Sequence, residues 1–280
     1  MSRLKISAIS YLNTAPLMWD FEHGDARADF DIAYTIPSAC AEALRVGTAD
    51  IGIIPAAAYA SIPDLSIIPD VAIAARREVR SILLVSKKPI EDVRTVALDT
   101  SSMTSVALTK ILFEKWLGGA RTYSAMAPDL DAMLGQCDAG LLIGDPALQV
   151  DRTRYVTLDL AEEWIARTGK SFVFAFWAVR KQSLARRNVA AIAEVFQKSR
   201  DRGLTPENLE AIAREWAPRI GLTIEAVRDY LTHNIHYYLD PPCLEGLELY
   251  YRLGAEIGAL PPAPELRFVW YSCNERAHRR

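Results

Sequence analysis

The chain has 280 residues, of which half are apolar and 24% are charged, and its formal net charge is −3. These values are typical of a soluble globular protein with one large or two modest domains, and they provide no basic surface for nucleic acid. The four cysteines form no CxxC pair, so their spacing indicates neither a zinc site nor a redox motif. No apolar run approaches the roughly 20 residues of a membrane span, and the N-terminus lacks the apolar core of a signal peptide. The sequence predicts a cytoplasmic protein without a membrane or nucleic-acid partner.

The first third of the chain alternates between strand and helix patterns. Strands are expected at RLKISAI, FDIAYTIP and DIGIIP, and two more at LSIIPDVAIA and VRSILLVSK. A helix is expected at SACAEALRVGTA, with Ser38 as its N-cap and Gly47 at its C-terminal stop. This alternation predicts a largely parallel sheet.

The pattern restarts after Pro89 with the strand TVALD, a helix from Thr100 and the strand within DAGLLIGDPALQV. A buried strand, FVFAFWAVR, follows, and the chain is helical from about Lys181. We therefore expect an α/β protein of two lobes, with 1–87 and 175–280 in the first and 88–174 in the second. A ligand would bind in the cleft between them, as in type II periplasmic-binding-protein-like folds.

Hydroxyl side chains crowd the start of the helix that follows TVALD. They are Thr100, Ser101, Ser102, Thr104 and Ser105. Helix capping would account for one or two of them. The backbone N–H groups of a first helical turn lack intrahelical partners and lie at the positive end of the helix dipole, so such a helix start can bind a carboxylate or phosphate. The excess of hydroxyls favours an anion site over capping alone.

Three other features carry candidate chemistry. Gly144 and Asp145 follow the strand GLLI, where an acidic residue could orient a substrate hydroxyl or could cap a short helix from Pro146. Ser81 is alone among apolar neighbours, a pattern usually seen for a buried serine bonded to backbone. His233 and His236 have a spacing that could place two metal ligands on one helix face, but no third ligand is evident, so no metal site is predicted.

Several segments, taken in order, resemble the chorismate dehydratases of the futalosine route to menaquinone. These segments are SYLNTAPL, GTADIGIIP, VRSILLVSK, LDTSSMTSVALTKILF, LLIGDPAL and TGKSFVFAFWAVR. The resemblance implies a type II binding-protein-like fold and conversion of chorismate to 3-[(1-carboxyvinyl)oxy]benzoate and water. The sister family, which makes 1,4-dihydroxy-6-naphthoate, tends to carry a Cys-Pro-Asn-Asp-Thr run near its start. This chain has YLNTAP there, which favours the dehydratase.

The resemblance also assigns site residues. It associates Asn13 and Ser81 with catalysis. The implied substrate-binding residues are Ser102, Thr104, Ser105, Gly144 and Asp145. Met103 stands where some relatives would have Arg, which removes a charged contact.

The proposed reaction suits these residues. Loss of the C3 proton and the C4 hydroxyl makes the ring aromatic, so we expect no cofactor, and the protein must orient carboxylates and place hydrogen-bond donors. Asn13 is not basic near neutrality, and Ser81 lacks a His or Lys partner. The substrate's own enolpyruvyl carboxylate is therefore the expected base, with Asp145 as the competing candidate. The alternatives are the naphthoate synthase and a non-catalytic protein that binds a small acid. The C-terminal SCNERAHRR is expected to fray.

Overall fold

The computed structural model describes residues 3–185, 188–262 and 265–269. The C-terminal SCNERAHRR, for which fraying was predicted, lies outside these residues. The described strands are β1 Leu4–Ile9, β2 Phe30–Thr35, β3 Ile51–Pro55, β4 Leu65–Ala75, β5 Ile82–Ser86, β6 Thr95–Asp99, β7 Thr122–Met126, β8 Ala139–Ile143, β9 Val156–Asp159 and β10 Phe172–Arg180. They form two five-stranded sheets, one in each lobe, with the orders β2-β1-β3-β10-β4 and β7-β6-β8-β5-β9.

Each sheet mixes parallel and antiparallel pairs. In the first sheet, β1 runs parallel to β2 and β3, whereas β10 is antiparallel to β3 and β4. In the second, β6 runs parallel to β7 and β8, whereas β5 is antiparallel to β8 and β9. The antiparallel strands β5 and β10 are the ones by which the chain enters each sheet from the other lobe. The expectation of a largely parallel sheet therefore holds only for the three-stranded part of each sheet.

The two crossings between lobes lie at residues 76–81 and 169–171, just before β5 and β10. The predicted first lobe included residues up to 87, but β5 pairs with β8 and β9 in the second sheet. The predicted return at residue 175 lies inside β10, which begins at Phe172. Both crossing strands are apolar and buried along most of their length, so their local pattern does not indicate which sheet they join.

The helices cover the sheets and fill the C-terminal third. Their bounds are α1 Trp19–His23, α2 Pro37–Val46, α3 Ala56–Tyr59, α4 Thr104–Lys115, α5 Leu130–Gln136, α6 Asp145–Leu148, α7 Leu160–Thr168, α8 Val189–Gly203, α9 Pro206–Ile220, α10 Ile224–Asp229 and α11 Pro241–Glu256. A 3₁₀ turn spans Leu12–Met18, and a π-helical turn, Tyr230–Asn234, follows α10. Within the described residues, no helix is long and apolar enough to cross a membrane.

Helix boundaries agree in part with the sequence prediction. Gly47 ends α2 in the left-handed conformation, as predicted. Ser38 does not cap this helix, because α2 begins one residue earlier at Pro37 and its N-cap position is Ile36. Proline is favoured at the first helical position, since its fixed φ suits the helix and its missing N–H has no partner there.

The C-terminal helices hold both lobes. Helix α8 packs on the 3₁₀ turn Leu12–Met18, and α11 packs on both β10 and α4. The approach of α8 requires glycine at position 203, because a Cβ there would lie 2.0 Å from the Pro16 carbonyl oxygen. Thus the helical third of the chain fixes the N-terminal turn and bridges the two sheets.

Candidate active site

A narrow cleft lies between the sheets, near the carboxyl ends of β1, β3 and β8. The lining residues are Ile9, Tyr11, Asn13, Pro37, Pro55, Ile73, Ile82, Ser102, Met103, Thr104, Ser105, Ile143, Gly144, Phe174 and Ala175. The space open to the centres of water-sized molecules is about 50 Å³, which is room for only a few waters. The carboxyl ends of strands are where open α/β sheets bind their ligands, so this cleft is the candidate site in a nearly closed conformation.

Asn13 forms part of the wall contributed by the first lobe. It lies in the 3₁₀ turn Leu12–Met18, all of whose residues are buried, and its side-chain carbonyl oxygen accepts a hydrogen bond of 3.3 Å from the Thr14 hydroxyl. The residue is 8% exposed and lines the cleft. The structure therefore brings Asn13 to the cleft through a tightly packed turn rather than a mobile loop.

Ser102, Thr104 and Ser105 form the opposite wall at the start of α4. The Ser102 hydroxyl accepts a hydrogen bond of 3.3 Å from the Ser105 N–H, so it binds one N–H of the first turn of α4, although the N-cap position is Met103. The Thr104 hydroxyl accepts from the Ala57 N–H at 3.1 Å and donates to the Phe174 carbonyl at 3.0 Å. Thr104 thus ties α4 to the first lobe in this conformation, while all three side chains remain at the cleft.

Gly144 lies against the aromatic ring of Tyr11 across the cleft. Its backbone has φ 65° and ψ −144°, a region that essentially only glycine occupies, and a Cβ there would lie 2.6 Å from Tyr11 Cδ2. Glycine is therefore required both by the backbone conformation and by the closeness of the two lobes.

Asp145 also joins the lobes, but it is not among the residues that line the cleft. Its Oδ1 accepts a hydrogen bond of 3.0 Å from the Leu12 N–H. It does not cap α6, whose N-cap position is Gly144. Burial raises the pKa of Asp145 to about 6, and the hydrogen bond from Leu12 opposes this rise. The carboxyl group therefore changes charge close to neutral pH.

A second acidic residue, Asp99, lies behind the start of α4 and was not singled out from the sequence. Its Oδ1 accepts from both the N–H and the hydroxyl of Ser101, at 2.8 and 2.6 Å, and the Ser101 hydroxyl lies 3.4 Å from that of Tyr11. Burial raises the pKa of the Asp99 carboxyl, and its Oδ2 has no hydrogen-bond partner among the described residues. The sequence signal that could have identified Asp99 was its position at the end of a buried strand, which it shares with Asp145.

Ser81 is fully buried and is not among the lining residues, although its neighbour Ile82 is. The Ser81 hydroxyl accepts a hydrogen bond of 2.8 Å from the hydroxyl of Tyr230. Tyr230 carried no signal in the sequence, because a tyrosine in a helical region is most simply a core residue. The serine therefore sits behind the cleft wall with a side-chain partner, rather than with the backbone partner usual for a buried serine.

No charged side chain lines the cleft in the part of the chain that the structure describes. Anion binding there would rest on neutral donors and on the helix α4, whose positive end is at the cleft through Thr104 and Ser105. Helix α2 begins at another lining residue, Pro37. The arrangement suits a ligand with carboxylate groups and an apolar ring, since Ile73, Ile82 and Phe174 add apolar surface.

His233 and His236 do not form a pair of metal ligands. His236 Nε2 lies 2.7 Å from Asp240 Oδ2, and Asp240 also caps α11 and forms an ion pair with Arg76. The side chains of His236, Asp240 and Cys243 cluster within 4.8 Å. Because Arg76 and the helix N-terminus already occupy the oxygens of Asp240, the cluster is a capping and ion-pair network.

The two sheets, the two crossings and the cleft define a two-lobed α/β protein of the type II periplasmic-binding-protein-like class. The solved structures agree on this fold. The protein AF1704 of Archaeoglobus fulgidus matches with a TM-score of 0.72 at 17% identity, over 92% of this chain and 98% of that one. The periplasmic aliphatic sulphonate binding protein SsuA of Escherichia coli matches with a TM-score of 0.63 at 18% identity, over 97% of both chains.

Sequence comparison narrows this class further. The chain belongs to the menaquinone biosynthesis family, whose model matches residues 4–256. It is 30% identical over 272 residues to the chorismate dehydratase of Thermus thermophilus, which covers 91% of this chain and 94% of that protein. The resemblance noted in the sequence is therefore confirmed at the level of the family.

Proposed function

We propose that this protein is a chorismate dehydratase, a hydro-lyase that converts chorismate to 3-[(1-carboxyvinyl)oxy]benzoate and water. One combination of findings carries the proposal. Asn13, Ser102 and Ser105 line the same cleft, and the chain is 30% identical to a chorismate dehydratase over most of both chains. The substrate is a small dianion, and the neutral donors and the apolar ring-sized surface of the cleft match its carboxylates and its ring.

The reaction removes a proton from C3 and the hydroxyl group from C4. The electron pair of the C3–H bond enters the ring, the C4–O bond breaks, and the departing oxygen takes a proton to leave as water. Because the product ring is aromatic, no cofactor is part of the proposal. The protein must hold the substrate so that the breaking bonds are aligned, and it must exclude chorismate's competing rearrangement by fixing one conformer.

In this proposal Asn13 orients the enolpyruvyl carboxylate or the departing hydroxyl through its side-chain amide. The hydroxyls of Ser102 and Ser105 and the first turn of α4 hold a carboxylate. Asp145 remains the competing base, since its pKa of about 6 leaves it largely ionised at neutral pH. Its Oδ1 is engaged by the Leu12 N–H and its side chain is outside the lining of the closed cleft, which favours the substrate's own carboxylate as the base.

Substrate entry requires the cleft to open. In this conformation, hydrogen bonds of Thr104, Asp145 and Tyr11 join the lobes across the cleft. We propose a cycle in which the lobes separate to admit the substrate and close to exclude water. The protein would act in the cytoplasm, which fractionation of cells that express it would test.

The test is to incubate the purified protein with chorismate and to follow the aromatic product by absorbance and mass. We expect loss of water from chorismate, with the vinyl ether retained in the product. Saturable binding without turnover would instead support a protein that binds a small acid. Turnover of a later pathway intermediate to 1,4-dihydroxy-6-naphthoate, with chorismate unchanged, would support the sister synthase.

A further inference from the structure

A single tyrosine hydroxyl connects two residues that are far apart in the sequence. Tyr230 is 1% exposed, and its hydroxyl donates a hydrogen bond of 2.8 Å to the Ser81 hydroxyl. The Asn13 side chain also interacts with this hydroxyl and lowers its pKa, against the larger effect of burial. The C-terminal third thus supplies one group that contacts both the 3₁₀ turn at the cleft and the strand that crosses between lobes.

These contacts constrain the Asn13 amide from both ends. The hydrogen of the Tyr230 hydroxyl is used on Ser81, so toward Asn13 its oxygen can act only as an acceptor. At the other end, the Asn13 carbonyl oxygen accepts from the Thr14 hydroxyl. With its carbonyl oxygen on Thr14, the amide presents its N–H groups to other acceptors, among them a ligand in the cleft that Asn13 lines.

Tyr230 is itself held in place by an irregular turn. It begins the π-helical turn Tyr230–Asn234, a rare conformation that is frequent at functional sites. The Asn234 side chain at the end of this turn donates to the Glu78 carbonyl at 3.0 Å, in the first crossing between the lobes. Burial raises the pKa of Tyr230, so the hydroxyl stays protonated and keeps donating throughout the neutral range.

We propose that Tyr230 is a positioning residue for the dehydration: it acts through Asn13 and Ser81 and fixes the amide of Asn13 toward the substrate. This inference rests on the proposed function. Tyr230 does not line the cleft, so it orients the groups that do the chemistry rather than contacting chorismate.

The first test is the variant Tyr230→Phe, with Tyr237→Phe as the matched control. Both tyrosines are buried, but the Tyr237 hydroxyl has no hydrogen-bond partner among the described residues. We expect Tyr230→Phe to lower kcat roughly 10- to 30-fold, the effect of losing the orienting hydroxyl and its hydrogen bond to Ser81, while KM changes less than about threefold. Tyr237→Phe should leave both constants unchanged. Wild-type kcat in Tyr230→Phe, or an equal loss in Tyr237→Phe, would overturn the proposal.

A second test asks whether Tyr230 acts through its partners. Ser81→Ala cuts the same hydrogen bond from the other end, so the loss of kcat in the double variant should be smaller than the product of the two single losses. Losses that multiply would mean that Tyr230 acts independently of Ser81, contrary to the proposal. Ser81→Ala also serves as the probe if Tyr230→Phe does not fold.

A third test does not depend on activity. Crystal structures of the wild-type protein and of Tyr230→Phe, or of Ser81→Ala, should show the Asn13 amide turned from its wild-type orientation in the variant. An unchanged amide would refute the positioning role, whether or not the protein acts on chorismate. If the wild type does not dehydrate chorismate but the amide is turned in the variant, the proposed function is refuted. The positioning of Asn13 by Tyr230 is then still supported.

Discussion

The variant Gly144→Ala should have two distinct effects: it strains the backbone at residue 144, and its side chain hinders closure of the two lobes. An alanine here would adopt a conformation nearly restricted to glycine, which costs about 1–3 kcal/mol of folding free energy. Its Cβ would also lie 2.6 Å from the Tyr11 ring, about 1 Å inside the 3.5–4.0 Å of a normal carbon–carbon contact. The strain acts in open and closed forms alike, whereas the contact with Tyr11 exists only when the lobes are closed.

The Tyr11 ring cannot move away from the new Cβ without losing other contacts. Its Cγ, the atom closest to the backbone, would lie 2.9 Å from the new Cβ, so Tyr11 must shift as a whole. That shift would break its contact with Ser101 and disturb the neighbouring hydrogen bond from Leu12 to Asp145. Overpacking of this kind costs about 1–3 kcal/mol, which corresponds to a closed population reduced about 5- to 150-fold.

The assay is kcat/KM on chorismate, with urea unfolding of the same samples and the radius of gyration in solution. Gly221→Ala is the control, because Gly221 also has positive φ (68°) but lies at the end of α9, away from both crossings, and a Cβ there would meet nothing within 4 Å. We expect Gly221→Ala to lose stability with kcat/KM unchanged. Gly144→Ala should lose about 5- to 150-fold in kcat/KM and become more open. A Gly144→Ala protein with wild-type kcat/KM would refute the argument that a side chain at position 144 hinders closure.

Three further variants test the acidic and hydroxyl groups. Because the folded pKa of Asp145 is about 6 against an unfolded value of 3.8, folding binds protons, and stability falls as the pH rises from about 4 to about 6. Asp145→Asn should remove this dependence of stability on pH, increase the free energy of unfolding by at most about 3 kcal/mol at pH 7, and retain turnover. A variant that binds chorismate normally but does not turn it over would make Asp145 the base. Asp99→Asn should stabilise the protein at neutral pH in thermal unfolding, since it removes a buried charge with an unpartnered oxygen; a lower melting temperature would contradict this. Ser102→Ala should lose about 1 kcal/mol of stability with its hydrogen bond from the Ser105 N–H and raise the Kd for chorismate, and an unchanged Kd would remove Ser102 from the site.

The local structure of this protein followed largely from local patterns. The strand ends that carry Asn13 and Gly144, and the hydroxyls at the start of α4, were recognised because polar residues interrupt apolar runs there. Gly47 ended its helix as predicted, since left-handed backbone at a helix end is a local preference. The predicted cap at Ser38 was wrong. Proline at the first helical position and serine at the N-cap both favour a helix start, and the sequence alone did not show that the helix begins at Pro37.

What the sequence by itself determined is therefore most of the elements, the placement of the polar groups at their ends and the family; the short strands β7 and β9 were not predicted. Only the tertiary structure decided which sheet β5 joins, because an apolar strand pairs equally well with either until the crossings are made. It also placed the Ser81 hydroxyl behind the cleft against Tyr230, about 150 residues away in the chain. Contacts of that sequence separation depend on how the C-terminal helices pack, with α8 on the first lobe and α11 on both lobes, and no local pattern encodes that packing.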